Sequence, residues 1–402
     1  MPANLRLTTA QKELLYPLVV LAVGILSYVP WLGSYGPLDP TDSFFLESAR
    51  EALETNQLLL PLDNYVPWLD KPILFFWLVE YAFKFFGIHT FIGRLPAALS
   101  AIIAGQLIYF GTRPMLKPRT AALAALIFLS TPLSSIVGHV CLTDMTLTAL
   151  IAGSILFLFK GLEYAKNKDL YIGYFCLGLA MLCKGPIAII ICALALLPYL
   201  ISTSKSKNEF VQKIRAIKPL LGSLIVLALN LPWYIEASLA TNGRFLWEFF
   251  IRQNFGRMVG TVNHQEKIYF YIPVFFGGFF PWCALSLSAA GVFKKTFQKK
   301  SEENSSFRRL IRLSLFWFFG VIALFTAIKT KLPTYILPSV PAFSILIAMQ
   351  LELILKSGKL KRMIPALALI TLALLVGMAV HPMLKGYVKD IITQNVWVMA
   401  PV

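Results

Sequence analysis

The sequence predicts an all-α polytopic membrane protein. Hydrophobic residues make up 57% of the 402 positions and charged residues only 14%, and the mean hydropathy is +0.69. Soluble domains carry about one-quarter charged residues. Apolar runs of about 20 residues, long enough to cross ~30 Å of hydrocarbon, recur along the whole chain.

These runs predict eleven membrane spans. The first run is not followed by a small-residue cleavage site, so we expect it to remain as a span rather than to be removed as a signal peptide. The spans are placed near residues 15–33, 95–112, 119–136, 146–161, 170–184, 186–202, 219–235, 269–290, 312–328, 334–354 and 363–380.

Lys and Arg are concentrated in alternate connectors. The formal net charge is +17, and with the N-terminus in the cytoplasm the short inner segments hold 24 of the 37 Lys and Arg residues. Short loops rich in Lys and Arg stay in the cytoplasm. The basic character is therefore a topology signal and gives no reason to expect a nucleic acid partner, although it would suggest one in a soluble protein.

Cysteines and short motifs exclude several classes. The sequence contains no Gly-rich phosphate loop and no Cys-rich zinc motif. The cysteines occur singly, mostly inside predicted spans, so a disulfide framework is not expected. They are Cys141, Cys176, Cys183, Cys192 and Cys283.

Two outer segments, 34–94 and 236–268, are too long to be simple turns. Loops beyond about 15 residues usually carry function or structure of their own. Both segments would face the outer side of the membrane. The first one begins with the acidic stretch "SYGPLDPTDSFFLES".

The first outer segment contains two stretches with helical character. Residues 43–55 are amphipathic, can be capped by Asp42 or Ser43, and are suited to the membrane surface. Residues 72–86 are more hydrophobic but too short for a span and are interrupted by two charged residues. We expect both helices to lie at the outer interface.

The unusual polar residues converge on this outer side. Ionisable groups near or inside spans are energetically expensive and typically functional. Cations suit an anionic group such as phosphate, and a nearby acid can act as a general base. The set comprises Asp39, Asp42, Asp70, Lys71, Asp144, Lys184, Arg252, Arg257, His264, Lys329, Lys331 and Tyr335.

Several of these residues also have a purely structural interpretation. Asp42 could be only a helix cap, and Asp39, which precedes a proline, only a turn residue. Lys71 could extend its ammonium to the interface. Asp144 and Lys184 could form a structural ion pair within the bundle.

Four further candidates have structural alternatives as well. Arg252 and Arg257 could bind only lipid headgroups. His264 is the one histidine of its segment, and a single histidine is more often structural than a ligand. Tyr335 could be an interfacial anchor.

Taken in order, a series of stretches resembles the membrane glycosyltransferases of the GT-C class, which use lipid-linked sugars. The likeness is greatest to bacterial aminoarabinose transferases that act on lipid A, and protein O-mannosyltransferases are more distant. It covers about residues 15–350 and includes "SAREAL", "LDKPILFFWL", "CLTDMTLT", "MLCKGP", "LPWYIEA", "YIPVFFGGFFPW" and "KTKLPTYILP".

The resemblance implies a GT-C-type bundle of about eleven transmembrane helices, with interfacial helices in the first outer segment. Residues 1–380 would form the membrane glycosyltransferase domain and residues 381–402 a short outer tail. Aminoarabinose transferases are longer and carry a soluble outer domain, so acceptor recognition could differ here. The resemblance also implies a bacterial inner-membrane location with the site facing outwards.

The resemblance also assigns a catalytic role to acids of the first outer segment. The family carries an Asp-Glu pair, which falls on Thr41 and Asp42 when counted back from "AREAL". The first acid of the pair is therefore missing. Asp42 is then the best match, with Asp39 just upstream, and Asp144 matches a further family Asp.

The resemblance assigns a donor-binding role to other residues. Lys71 matches the Lys of an acidic-Lys-Pro motif that faces the carrier phosphate, and Arg257 and Tyr335 match further family positions. Asp70 and His264 match an acid and a histidine that could together bind a divalent metal ion with other ligands. No other cofactor is implied.

The predicted function is transfer of a sugar, with inversion, from a polyprenyl phosphate to an acceptor such as lipid A, another glycolipid or a protein. Lys71 and Arg257, with Lys329 or Lys331, would hold the carrier phosphate. One alternative is a transporter or flippase of an anionic lipid, for which neither inverted repeats nor broken mid-membrane helices are recognisable. A non-catalytic scaffold for envelope assembly is the other alternative.

Overall fold

The computed structural model describes residues 9–38, 41–256, 266–288 and 305–358, together with residues 364 and 368. The structure is almost entirely helical, as the sequence predicts, and its α-helices are α1 Thr9–Tyr28, α2 Thr41–Glu54, α3 Leu74–Phe86, α4 Thr90–Thr112, α5 Pro118–Leu129, α6 Pro132–Gly138, α7 Thr143–Tyr164, α8 Asn167–Lys184, α9 Ile187–Thr203, α10 Lys207–Ala216, α11 Pro219–Ala240, α12 Arg244–Leu246, α13 Tyr271–Gly278, α14 Ser305–Ala327 and α15 Val340–Ser357.

Three further helical segments have a different pitch. A π-helix, Trp247–Phe255, continues directly from α12, and 3₁₀-helices form at Trp282–Ser288 and Pro333–Ser339. π-Helical segments are rare and frequently lie at functional sites.

Helix α7 lies at the centre of the bundle. Most of its residues are buried, and it packs against α4 and, as an antiparallel hairpin, against α8. Small residues permit the close α7–α8 approach: a Cβ at Gly161 would meet Leu170, and one at Gly173 would meet Leu158, both within 3 Å. Small residues at helix contacts are typical of membrane bundles.

The first outer segment folds as α2, a short β-hairpin and α3. The hairpin pairs β1, Leu62–Asp63, with β2, Val66–Pro67, and both residues of its turn have the positive φ of a type I′ turn. Glu51 lies on the polar face predicted for α2, yet it is buried, because its carboxylate accepts a hydrogen bond from the Tyr65 amide at 2.9 Å.

Two tryptophans hold this outer segment against the bundle. The Trp77 indole of α3 donates to the Leu58 carbonyl at 2.7 Å, and the Trp233 indole of α11 donates to the Leu59 carbonyl at 2.8 Å. The segment is therefore fixed from within and from the membrane helices.

Each of the first ten predicted spans overlaps a helical segment, and the eleventh lies almost wholly outside the described residues. By length and composition, five of the described helices can cross a membrane, or six if α5 and α6, bent by 63°, form one span. The helical class and the membrane-spanning character are confirmed. The count of eleven spans and the interfacial position of α2 and α3 stay predictions.

Candidate active site

The α7–α8 hairpin brings two opposite charges together. Asp144 lies in the first turn of α7 and Lys184 in the last turn of α8, so antiparallel packing places them at the same end of the hairpin. The Lys184 ammonium donates to the Asp144 carboxylate at 2.8 Å. Each charge also has the sign that its helix end favours.

A cavity opens beside this pair. Five of the polar residues singled out in the sequence line it, although they come from four separate segments of the chain: Asp70, Lys71, Asp144, Lys184 and Tyr335. The rest of the wall is largely apolar, with residues such as Leu147, Ile187, Ile190, Leu324 and Phe325. A mostly apolar cavity with a few convergent polar groups is the usual form of a small-molecule site.

Lys71 approaches the cavity across two aromatic faces. Its ammonium lies 4.8 Å from the centre of the Phe45 ring and 5.4 Å from that of the Trp68 ring. Both distances are within the range at which a ring attracts a cation. The side chain of Lys71 is half-buried.

Tyr335 forms another part of the wall. It belongs to the 3₁₀-helix Pro333–Ser339, which packs against α7 and α14, and its ring lies 5.2 Å from the Lys184 ammonium. Tyr335 is 8% exposed and packs against Phe325, with ring centres 5.1 Å apart and ring planes tilted by 40°. It is therefore held by packing rather than placed at an open surface.

The π-helix supplies a polar residue that the sequence interpretation missed. Gln253 lines the cavity together with Phe249, whose ring covers the backbone of Gly185 directly after Lys184. Gly185 has φ +80°, and a Cβ there would lie 2.3 Å from the Phe249 ring. A glycine is therefore required at this turn. Arg252, on the same π-helix, is exposed and pairs with Glu248.

Asp42, the first choice for the catalytic base, has a different setting. It is completely buried and does not belong to the residues that line the cavity. Its carboxylate accepts hydrogen bonds from the amides of Leu38 at 2.9 Å and Cys141 at 2.7 Å and from the guanidinium of Arg94. Because Asp42 is buried behind these partners and away from the cavity lining, the structure favours a structural role for it.

Arg94 was overlooked in the sequence. It is fully buried and donates, besides Asp42, to the carbonyls of Leu32, Tyr35 and Gly36 at 2.7–3.0 Å. A single Arg at the start of a predicted span is a signal for such a site, because a buried cation needs partners.

The two lysines of "KTKLP" also differ from the expectation that they bind the donor phosphate. Lys331 is 4% exposed, and its ammonium donates to the carbonyls of Glu266, Ile328 and Lys329 at 2.5–3.5 Å. It therefore stabilises the turn after α14. Lys329 is exposed, and neither lysine lines the cavity.

Three candidate residues, Asp39, Arg257 and His264, lie outside the described residues. Within the described part of the chain, no group of three or more His, Cys, Asp and Glu side chains could hold a metal ion. Asp70 lines the cavity. Because His264 lies outside the described residues, the pairing of the two at a metal ion stays a prediction.

Comparison with known proteins confirms the predicted resemblance. Residues 70–235 match the family described as dolichyl-phosphate-mannose-protein mannosyltransferase. The chain is 27% identical over 332 residues to an uncharacterized protein of Aquifex aeolicus, covering 82% of this chain and 63% of that protein. It is 26% identical over 346 residues to undecaprenyl phosphate-alpha-4-amino-4-deoxy-L-arabinose arabinosyl transferase 2 of Pseudomonas fluorescens, covering 84% and 56%.

Solved structures show the same fold. The crystal structure of ArnT from Cupriavidus metallidurans bound to undecaprenyl phosphate superimposes with a TM-score of 0.72 at 24% identity, covering 86% of this chain and 61% of that one. An oligosaccharyltransferase of Archaeoglobus fulgidus gives a TM-score of 0.58 at 13% identity, covering 91% and 54%.

The resemblance to the GT-C membrane glycosyltransferases that the sequence predicts is confirmed. Within that class, the likeness is to the aminoarabinose transferases. The chain spans less than two thirds of the length of these curated relatives.

Proposed function

We propose that this protein is a glycosyltransferase that moves a sugar from a polyprenyl phosphate carrier to an acceptor at the outer face of the bacterial inner membrane. The observation that carries the proposal is the cavity, which combines two ammonium groups, two carboxylates and a tyrosine within an apolar wall. An anionic headgroup on an apolar tail has matching chemistry. The motifs shared with lipid-carrier-dependent glycosyltransferases support the same assignment.

The reaction is one displacement at the anomeric carbon of the sugar. The bond from this carbon to the carrier phosphate oxygen breaks, a bond to the acceptor oxygen forms, and the anomeric centre is inverted. Negative charge grows on the leaving phosphate, and Lys71 and Lys184 are placed to stabilise it, with Tyr335 as a hydroxyl donor. Arg257, matched by the family resemblance, is proposed to act with them.

Asp144 is the proposed carboxylate at the reacting centre. If the acceptor is a hydroxyl, its proton passes to a carboxylate as the new bond forms. If the acceptor is a phosphate, it is already ionised and the carboxylate only positions it. Asp70 lines the same cavity, and Asp39 remains a sequence-based alternative.

The acceptor class is lipid A, another glycolipid or a protein. The description of the matching mannosyltransferase family names a protein acceptor, whereas the name of the arabinosyl transferase gives the lipid-linked donor. The sugar is a hexose or a pentose, which the experiment below weighs directly.

The test is mass spectrometry of membrane lipids from cells with the protein, without it, and with Asp144→Asn, Lys71→Met or Asp42→Asn. We expect a polyprenyl phosphate sugar to accumulate without the protein and in the Asp144 and Lys71 variants, because transfer falls by about 100-fold or more. Asp42→Asn should instead lower the amount of folded protein.

Asp169→Asn is a matched control. Asp169 of α8 pairs with Lys160 of α7 at 3.0 Å, at the far end of the same hairpin from the cavity. This variant should leave the lipid profile unchanged. If the lipids do not change even when the protein is deleted in a strain with no second such enzyme, the proposal is wrong, and a transporter becomes the leading assignment.

A further inference from the structure

The side chain of Lys71 has an aromatic environment that its motif does not explain. Lysine has a flexible stem of four carbons, so its ammonium is not positioned by its backbone alone. Here two rings from different elements face it, Phe45 from α2 and Trp68 from the connection between β2 and α3. Phe45 carries no polar atom, so its contact with the ammonium is through the ring.

Both rings are themselves fixed by aromatic packing. Phe45 is fully buried and contacts Phe75 and Phe76, with ring centres 5.4 Å and 5.0 Å away. Trp68 packs against Phe44 at 4.6 Å and against Phe76 at 6.0 Å. The ammonium therefore rests on a rigid aromatic surface rather than on mobile side chains.

The orientation of Lys71 follows from this surface. Rings attract a cation over their faces, because the quadrupole places negative charge there. An ammonium held in this way keeps its positive charge beside the cavity, where Lys71 contributes to the lining.

We propose that Phe45 and Trp68 are positioning residues that hold the Lys71 ammonium against the phosphate of the lipid-linked donor. The inference rests on the proposed function. It also gives a role to the amphipathic helix α2, which follows the acidic stretch: α2 supplies Phe45, one of the two rings that contact the Lys71 ammonium.

The test measures binding of undecaprenyl phosphate to the full chain in nanodiscs, with the turnover parameters for the sugar-loaded donor measured alongside. Tryptophans with increasing numbers of fluorine atoms are introduced at position 68 by nonsense suppression. Fluorine withdraws negative charge from the ring face, which weakens its attraction for a cation, and largely keeps the shape of the ring. We expect the Kd and the donor KM to rise stepwise with fluorine content, with kcat changing less.

Substitutions extend the series. Trp68→Leu should weaken binding by about three- to thirtyfold, and Trp68→Phe, which retains a ring, should restore most of it. Fluorinated tryptophan at position 77 is the matched control, because the Trp77 indole donates to the Leu58 carbonyl. It should leave binding unchanged.

The outcomes separate the two proposals. If the unmodified protein does not bind undecaprenyl phosphate, the proposed function fails. If it binds and the fluorinated series at position 68 is flat, the proposed function stands and the positioning role is wrong. A loss for Trp68→Leu without a fluorine trend would assign Trp68 to packing alone.

Discussion

Arg94 is the residue on which the beginning of the first outer segment depends. Its guanidinium joins α4 to three backbone carbonyls and to Asp42, and its cation lies 4.0 Å from the centre of the Tyr35 ring. Both members of the ion pair are fully buried. Removing one partner of a buried pair leaves the other charge uncompensated, which is far more harmful than losing a surface pair.

We therefore predict that Arg94→Met lowers the free energy of unfolding by about 3–5 kcal/mol. Arg113→Met is the control, since Arg113 pairs with Glu13 and both side chains are partly exposed, and its cost should stay below about 1 kcal/mol. Thermal unfolding in detergent measures both. Equal shifts for the two variants would contradict the structural role given to the Asp42–Arg94 pair.

The sequence identified some site residues and missed others for a physical reason. Lys71, Asp144 and Tyr335 are polar groups that stand out within apolar runs, so each is visible without knowledge of its neighbours. The contacts of Phe45 and Arg94 depend on the rotation of α2 and on the packing of α4. The local sequence pattern specifies neither, so their roles could not be predicted. Asp42 was visible, but its partners lie 52 and 99 residues away.

At the level of elements, α3 contains an unusual buried acid. Glu80 is 1% exposed, and neither carboxylate oxygen has a hydrogen-bond partner. With 13 residues, α3 spans about 20 Å and is too short to cross the membrane. Burial raises the pKa of Glu80 from 4.5 to about 8, because the charged form would lose its hydration.

The sign of the resulting pH dependence is fixed. Between pH 4.5 and about 8 the folded protein holds a proton on Glu80 that the unfolded chain releases, so raising the pH through this range favours unfolding. Relative to Glu80→Leu, the wild-type protein should lose about 1.4 kcal/mol of stability per pH unit in that window. Unfolding midpoints of both proteins between pH 5.5 and pH 7.5 measure the difference.

Glu51 provides the contrast within the neighbouring helix α2. It is also buried, but its carboxylate accepts a hydrogen bond from the Tyr65 amide. Glu51→Leu should therefore destabilise the protein at neutral pH, whereas Glu80→Leu should stabilise it.

A pH-independent difference in stability between the wild-type protein and Glu80→Leu would show that Glu80 is not held protonated.

For the molecule as a whole, hydropathy predicted where the chain enters helices better than how many times it crosses the membrane. Apolar periodicity marks the helical segments because burial in lipid or in the bundle demands it. Bends such as the one of 63° between α5 and α6 depend on packing and on where a Ser-Thr-Pro connection falls. Short helices that end at such breaks carry the same hydropathy as true spans, so the count of eleven stays a prediction.

The orientation of the bundle can be tested independently of that count, because all five native cysteines are buried and should react slowly with thiol reagents. Val66, 63% exposed on the hairpin of the first outer segment, and Asn208, exposed in α10 among the basic inner residues, are suitable reporter positions. If the Lys/Arg asymmetry sets the topology, a membrane-impermeant maleimide should label Val66→Cys in intact spheroplasts and Asn208→Cys only after lysis. The reverse pattern would place the cavity on the cytoplasmic side, where a donor presented at the outer face could not reach Lys71, and both the orientation and the proposed outer-face reaction would be wrong.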